Sequence, residues 1–216
     1  MYAREMPVSA TFVRRAAAMS AGLATWALVA TAAATVVLAL DRESLVRGAD
    51  AIVAGRVRTV QAVAGPDGGP AILTRVEIDV HQTYKALPEG PSDRLTLLQT
   101  GGTLGHRTLQ VHGQARFSAG EPVLLFVERL SDGRLMPYGM AQGKFTLTEQ
   151  GGRTLAVRDL ADLSLAVRGP SGRLTFRTDD RQFPVRFDLS ELEALIVRYA
   201  DPAADASPTL ELRDVR

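Results

Sequence analysis

The chain of 216 residues contains no cysteine. That removes disulfide frameworks, thiolate metal sites, cysteine nucleophiles and acylated-cysteine lipoprotein anchors from consideration. Lysine is almost absent as well, with Lys85 and Lys144 its only occurrences, so nearly all positive charge is arginine. A basic excess is also missing. The chain carries 25 Lys+Arg against 24 Asp+Glu, a formal charge of +1, and shows no clustered basic face of the kind nucleic acid requires. Catalytic motifs are lacking too: neither Gly-x-Ser-x-Gly nor Ser-x-x-Lys occurs. The Gly101–Gly105 stretch lacks the Lys-Ser/Thr end of a P-loop. In Gly139–Lys144 the first glycine stands one residue too close, and Phe145 occupies the hydroxyl position. Both read as turns.

What is present begins with a targeting segment. Arg4, Arg14 and Arg15 precede Ala16–Leu40, a run of 25 residues without one charge. A positive flank, an apolar stretch and small side chains near its end describe a secretory signal peptide. Ala32 and Ala34 supply the small residues a signal peptidase needs, which places cleavage after Ala34. The alternative keeps the run to Leu40 as a membrane anchor, since about 20 apolar residues span a bilayer. Its content of Ala, Thr, Ser and Gly favours the cleaved form, and the β-branched end at Thr35–Leu40 reads as a first strand. Both forms export the body of the chain, to the periplasm or the extracellular space, or hold it outside an inner membrane.

Beyond that segment the pattern is extended. Asp41 is placed to cap a short helix with Leu45, Val46 and Ala49 as its apolar stripe. Ile52–Val60 and Ile72–Thr83 flank the turn cluster Gly65–Pro70 and predict a hairpin. In its second strand Ile72, Thr74, Val76, Ile78 and Val80 alternate with polar residues. Leu95–Leu98 predicts a third strand. Val123–Val127 is apolar on both faces, which suits a central strand covered on both sides. Leu135–Tyr138 and Phe145–Thr148 complete an antiparallel barrel over residues 35–150. Past Gly152, Thr154–Val157, Leu163–Val167 and Leu174–Phe176 read as a small β extension, within residues 151–200. A C-terminal amphipathic helix follows, with Asp188 and Glu191 as a capping box and Leu189, Leu192, Leu195, Ile196 and Tyr199 as its apolar face. Residues 201–216, rich in Ala, Asp, Ser and Pro, read as a flexible tail.

Several of these stretches carry a resemblance. Ser44–Val57, Thr74-Arg75-Val76, Tyr84-Lys85, Gly101-Gly102, Phe117, Gly120–Phe126 and Ala141–Phe145 resemble a group of uncharacterised exported bacterial proteins, over about half of the chain. The resemblance implies a small OB-like barrel, similar in outline to the netrin-like modules of secreted protease inhibitors, and brings no enzymatic activity with it. Those inhibitors use an N-terminal cysteine and disulfides, which this chain lacks. The fold class expected is therefore mainly β: an OB-like antiparallel β-barrel with a short N-terminal helix, a small β extension and the C-terminal helix.

Candidate chemistry is thin. His81, His106 and His112 invite a metal reading, yet on one strand His106 and His112 would lie roughly 20 Å apart, and His81 falls on a polar strand face beside Glu77 and Asp79. No metal, cofactor or catalytic residue is read from this pattern. The pair Asp179-Asp180, between Arg177 and Arg181, reads as a charge cluster. Arg153, Arg158, Arg168, Arg173, Arg177, Arg181 and Arg186 could meet an anionic envelope polymer, although interspersed acids offset them. The loops of a small barrel are where partners are recognised, which selects Gly101, Gly102, Thr103, Gly105, His106, Phe117 and Glu121 as contact residues. The expectation is an exported non-catalytic binding or structural module with a protein or envelope-polymer partner. It binds no nucleic acid and touches membrane only through an uncleaved N-terminal segment. Two alternatives stand beside it: an inhibitor or companion of an exported protease, and an exported hydrolase whose site is assembled only by folding.

Overall fold

The structure, a computed structural model, describes residues 35–66, 69–169, 171–176 and 184–200. The expected cleavage residues Ala32 and Ala34, the Asp179-Asp180 pair and the expected tail 201–216 lie outside them. The protein is mainly β, with 53% of the described residues in strands against 14% in helices. A short strand β1 (Thr35–Leu38) leads to helix α1 (Arg42–Gly48), then to the long strands β2 (Ala51–Ala64) and β3 (Ile72–Lys85) and to β4 (Arg94–Thr100). A small hairpin, β5 (Gly102–Leu104) and β6 (Arg107–Leu109), precedes β7 (Pro122–Arg129) and β8 (Leu135–Pro137). After a 3₁₀ turn at Met140–Gly143 come β9 (Lys144–Gln150), β10 (Arg153–Arg158), β11 (Leu163–Arg168), β12 (Leu174–Phe176), β13 (Val185–Asp188) and helix α2 (Leu189–Tyr199).

The main sheet runs β13-β10-β9-β7-β2-β3-β4, with β8 added beside β7. Every pairing in it is antiparallel. The expected hairpin forms, its register running from Ile52 opposite Lys85 to Ala64 opposite Ile72. Register shifts at Ile52/Val53, Ala54/Gly55 and Val57/Thr59 interrupt it. Extra residues on one strand bend it and increase local twist, so these shifts curl the sheet into a half-barrel.

β7 stands mid-sheet, and its burial explains the unbroken apolar run: Val123, Leu124, Leu125, Phe126 and Val127 are all at 0% exposure. Val123, Leu125 and Val127 face the concave side with Val57, Val76, Ile78 and Leu97. Leu124 and Phe126 face the other side, where Leu45 and Val46 of α1 and Leu192 and Ile196 of α2 cover the sheet. Both helices start on capped ends. Asp41 accepts from the Ser44 backbone N–H at 2.7 Å and Asp188 from that of Ser190 at 3.0 Å. The Ser44 N–H holds the Asp41 carboxyl below the usual carboxylate range, and the Ser190 hydroxyl, donating at 2.7 Å, together with the Ser190 N–H does the same for Asp188. No helix among the described residues is long and apolar enough to cross a membrane.

Two expectations differ from the observed pairing. Strand β1 does not join the barrel. It pairs in parallel with β11, which pairs with β12, making a separate three-stranded sheet. Strand β10 belongs to the main sheet rather than to a peripheral one, since the β9–β10 hairpin turns at Gly151-Gly152 and β13 extends it. Local alternation predicts that a strand exists, whereas its partner is chosen by surfaces far away in sequence.

Arg158 lies at the end of β10 and leaves the arginine-rich surface. Its residue is 8% exposed and its guanidinium stacks on Phe145 at 5.3 Å and Phe187 at 5.7 Å, with no acceptor for Nε or Nη1. Burial, helped by the neighbouring Arg42 charge, pushes it down to about 10. It cannot serve an exposed anion-binding patch.

Candidate partner-contact site

Two concavities share one wall, the segment Gln114–Arg116. On one side is a groove of about 350 Å³, lined by Thr74 of β3, Gln99 and Thr100 of β4, Gly101–Thr103, and Phe117. On the other is a polar cleft of about 270 Å³, lined by Ser118, Glu121, Lys144, Thr146, Asp159 and Asp162.

The groove is shaped by glycine. Gly101 and Gly102 hold φ of 111° and 132°, backbone that L side chains rarely adopt, and a Cβ on Gly102 would sit 2.8 Å from the Thr74 hydroxyl. The Gly101 N–H donates to Ile72 O at 2.8 Å and its carbonyl accepts from the Thr74 hydroxyl at 2.7 Å. The chain thus leaves β4 in a fixed direction and returns through the β5–β6 hairpin. Gln99 is 4% exposed; its Nε2 donates to Ala115 O at 3.1 Å, which ties the wall to β4. The Oε1 atoms of Gln99 and Gln114 are buried without a donor. Two buried acceptors left without donors beside one groove are costly to stability.

The cleft is built on charge. The 117–121 loop is fastened to β2 because Gly120 N–H donates to Val57 O at 2.8 Å and Val57 N–H to Glu121 O at 2.9 Å. Glu121 is thereby turned toward β9. Its Oε1 accepts from Lys144 and from the Thr146 hydroxyl, and its Oε2 from the Ser118 N–H at 3.0 Å. The two charged side chains are only 13% and 15% exposed, and the Lys144 ammonium also lies 5.4 Å from the Phe117 ring centre. At the rim Arg116 pairs with Asp162, and Asp159 accepts from the Ala161 N–H at 3.0 Å. Three carboxylates therefore line one cleft, yet each is held by a protein donor, an arrangement that positions charge rather than leaving a free acid and base.

Of the contact residues expected from the sequence, the structure brings Gly101, Gly102, Thr103 and Phe117 to the groove and Glu121 to the adjoining cleft. Gly105 and His106 do not join them; they form the exposed turn between β5 and β6, with Leu104 opposite Arg107. The loop expected at 101–105 is thus half hairpin. Sequence reasoning missed Gln99, Gln114, Lys144 and Thr146. For Lys144 a cue existed: it is one of two lysines and directly follows a turn. For the glutamines none did.

Strand β6 ends at Leu109, so His106 and His112 are not on one strand, and among the described residues no group of three or more His, Asp or Glu side chains could hold a metal ion. Compared with protein-family models, with curated proteins and with solved structures, the chain finds no match in any of the three.

Proposed function

We propose that the chain is an exported, non-catalytic binding or structural module whose curled sheet is an OB-like barrel and which meets a protein or envelope-polymer partner at the Gln114–Phe117 wall. The barrel reading is supported by a neighbour relation the hydrogen bonds leave out. β4, at the sheet edge, lies with Cα atoms within 8 Å of β8, which itself pairs with β7. Following neighbours gives β2, β3, β4, β8, β7 and back to β2, a five-membered ring open at one seam, as a partly open OB barrel would be. The 14-residue β2, with its register shifts, serves both halves of that ring.

One observation carries the binding reading. The segments at 101–103 and 117–121, separated by more than a dozen residues, converge on two adjoining concavities, a groove lined by Gln99 and Gln114, whose buried Oε1 atoms have no donor, and a cleft that holds an engaged Lys–Glu pair. Export is supported by the charge-free run Ala16–Leu40 behind three arginines. It is tested by the intact mass of the protein from its natural host. A mass lacking residues 1–34 agrees with cleavage, the full mass in a membrane fraction with the anchor, and a full-length protein folded in the cytoplasm contradicts export. The binding reading is tested by affinity capture from envelope extract with the wild type and with Thr103→Trp, an exposed residue of the groove lining whose enlargement obstructs the groove. Capture that is lost in the variant agrees. Retention of every captured species by the variant, or turnover of a substrate by the protein alone, contradicts it.

A further inference from the structure

The three-stranded sheet β1–β11–β12 has an inner and an outer face. Val37, Leu163 and Leu165 point inward and pack with Met140, Ala141 and Leu160. Register places Val36 beside Ser164, Leu38 beside Ala166, and Arg168 beside Leu174, so these alternate residues share the outer face. Ala166, at its middle, is 3% exposed, and large apolar side chains stand open on the strands to either side of it. Val36, Leu38 and Leu174 are 53%, 47% and 55% exposed, three of the six large apolar side chains exposed among the described residues. No acid stands among the outer residues, and exposed Arg168 and Arg173 border them.

The chain itself indicates what covers this face. β1 is the end of the charge-free run Ala16–Leu40, so a segment with the composition to enter a bilayer emerges directly into the sheet. The inference rests on the anchored form that the sequence also allows, in which β1 follows residues 16–34 in the chain without an intervening linker. Apolar side chains flanked by arginine match the interface chemically: the former enter the acyl boundary while the guanidiniums reach anionic phosphates.

We propose that the outer face of β1–β11–β12 lies against a lipid bilayer surface. The absence of native cysteine makes the test clean. Leu38→Cys, Leu174→Cys and Val197→Cys, the last on the 76%-exposed residue of α2, are each labelled with an environment-sensitive nitrobenzoxadiazole dye on the full chain. The labelled proteins are reconstituted into vesicles of phosphatidylethanolamine and phosphatidylglycerol that contain doxyl-labelled lipid. All three positions are exposed, and circular dichroism verifies that each variant keeps its sheet content. The expected result is blue-shifted emission at 38 and 174, quenched by doxyl lipid roughly threefold more than at 197. Equal quenching at all three positions overturns the proposal. So does a blue shift without doxyl quenching, which would indicate a second copy of the chain or another protein on this face. Thr103→Trp, which tests the groove from an exposed position away from this sheet, leaves this readout unchanged, so failure here is separable from failure at the groove.

Discussion

β7 and β11 are both apolar strands, and they live in different surroundings. β7 has a concave core on one side and two helices on the other, and five of its residues are wholly buried. β11 packs on one side against a cluster of a few residues, and on its other side Ala166 is buried while Arg168 and the neighbouring Val36, Leu38 and Leu174 are exposed. The difference was written into composition. Val-Leu-Leu-Phe-Val leaves no polar position for solvent, whereas Leu-Ser-Leu-Ala-Val-Arg alternates. The lesson is that continuous apolarity marks a strand around which the fold is assembled, and alternation marks one added at a surface.

The comparison can be broken most forcefully at the main sheet. Phe126→Ala removes a ring packed 5.6 Å from Phe145 and should cost about 4 kcal/mol in urea unfolding of the full chain. Gly143→Ala belongs to the same class, because its Cβ would sit 2.4 Å from Tyr138 O and 2.7 Å from Phe126 O; a loss of about 3 kcal/mol or more is expected. Leu163→Ala, in the small sheet, should cost about 2 kcal/mol. A loss equal to that of Phe126→Ala would mean that the two regions are not the unequal partners described.

Lys144→Met should cost about 2 kcal/mol, because it leaves Glu121 half-buried with fewer donors; calorimetric melting would measure it. Arg158→Met goes the other way. The arginine stacks on aromatic rings but has no acceptor for two nitrogens, so an apolar replacement should leave melting unchanged or raise it.

The smallest effect expected is at a helix cap. Asp41→Ala should cost about 1 kcal/mol at neutral pH. The carboxyl is held below its ordinary value of 3.8 by the Ser44 N–H. Its contribution is therefore full above that value and is lost as pH falls through the lowered one, so the variant and the wild type should converge in acid. A deficit independent of pH would show that the cap bond is not its source.

Much of this was legible in the sequence for physical reasons. Caps are short-range devices, so Asp41 and Asp188 announced α1 and α2. Alternation over Ile72–Val80 announced β3, and the turn cluster before it was correctly read as the connection of a hairpin. Pairing over long distances was not legible. Thr35 stands opposite Leu163, a choice made by the surface that Ala141 and Leu160 offer to both strands. The candidate site divides in the same way. Glycines at 101 and 102 and the 117–121 loop showed as chain reversals, which is why contact was expected there. Gln99 and Gln114 showed nothing, because a polar side chain in an irregular or edge segment becomes informative only when folding buries it without a partner.

The central claim is that partners meet the chain at the groove between Gly101–Thr103 and Gln114–Phe117. Photocrosslinking in the natural host, with benzoylphenylalanine replacing Thr103, Phe117 or Val197 in turn, tests it most directly. The account predicts one common adduct from positions 103 and 117 and none from 197. An adduct from 197 alone, or no adduct from either groove position, would contradict it.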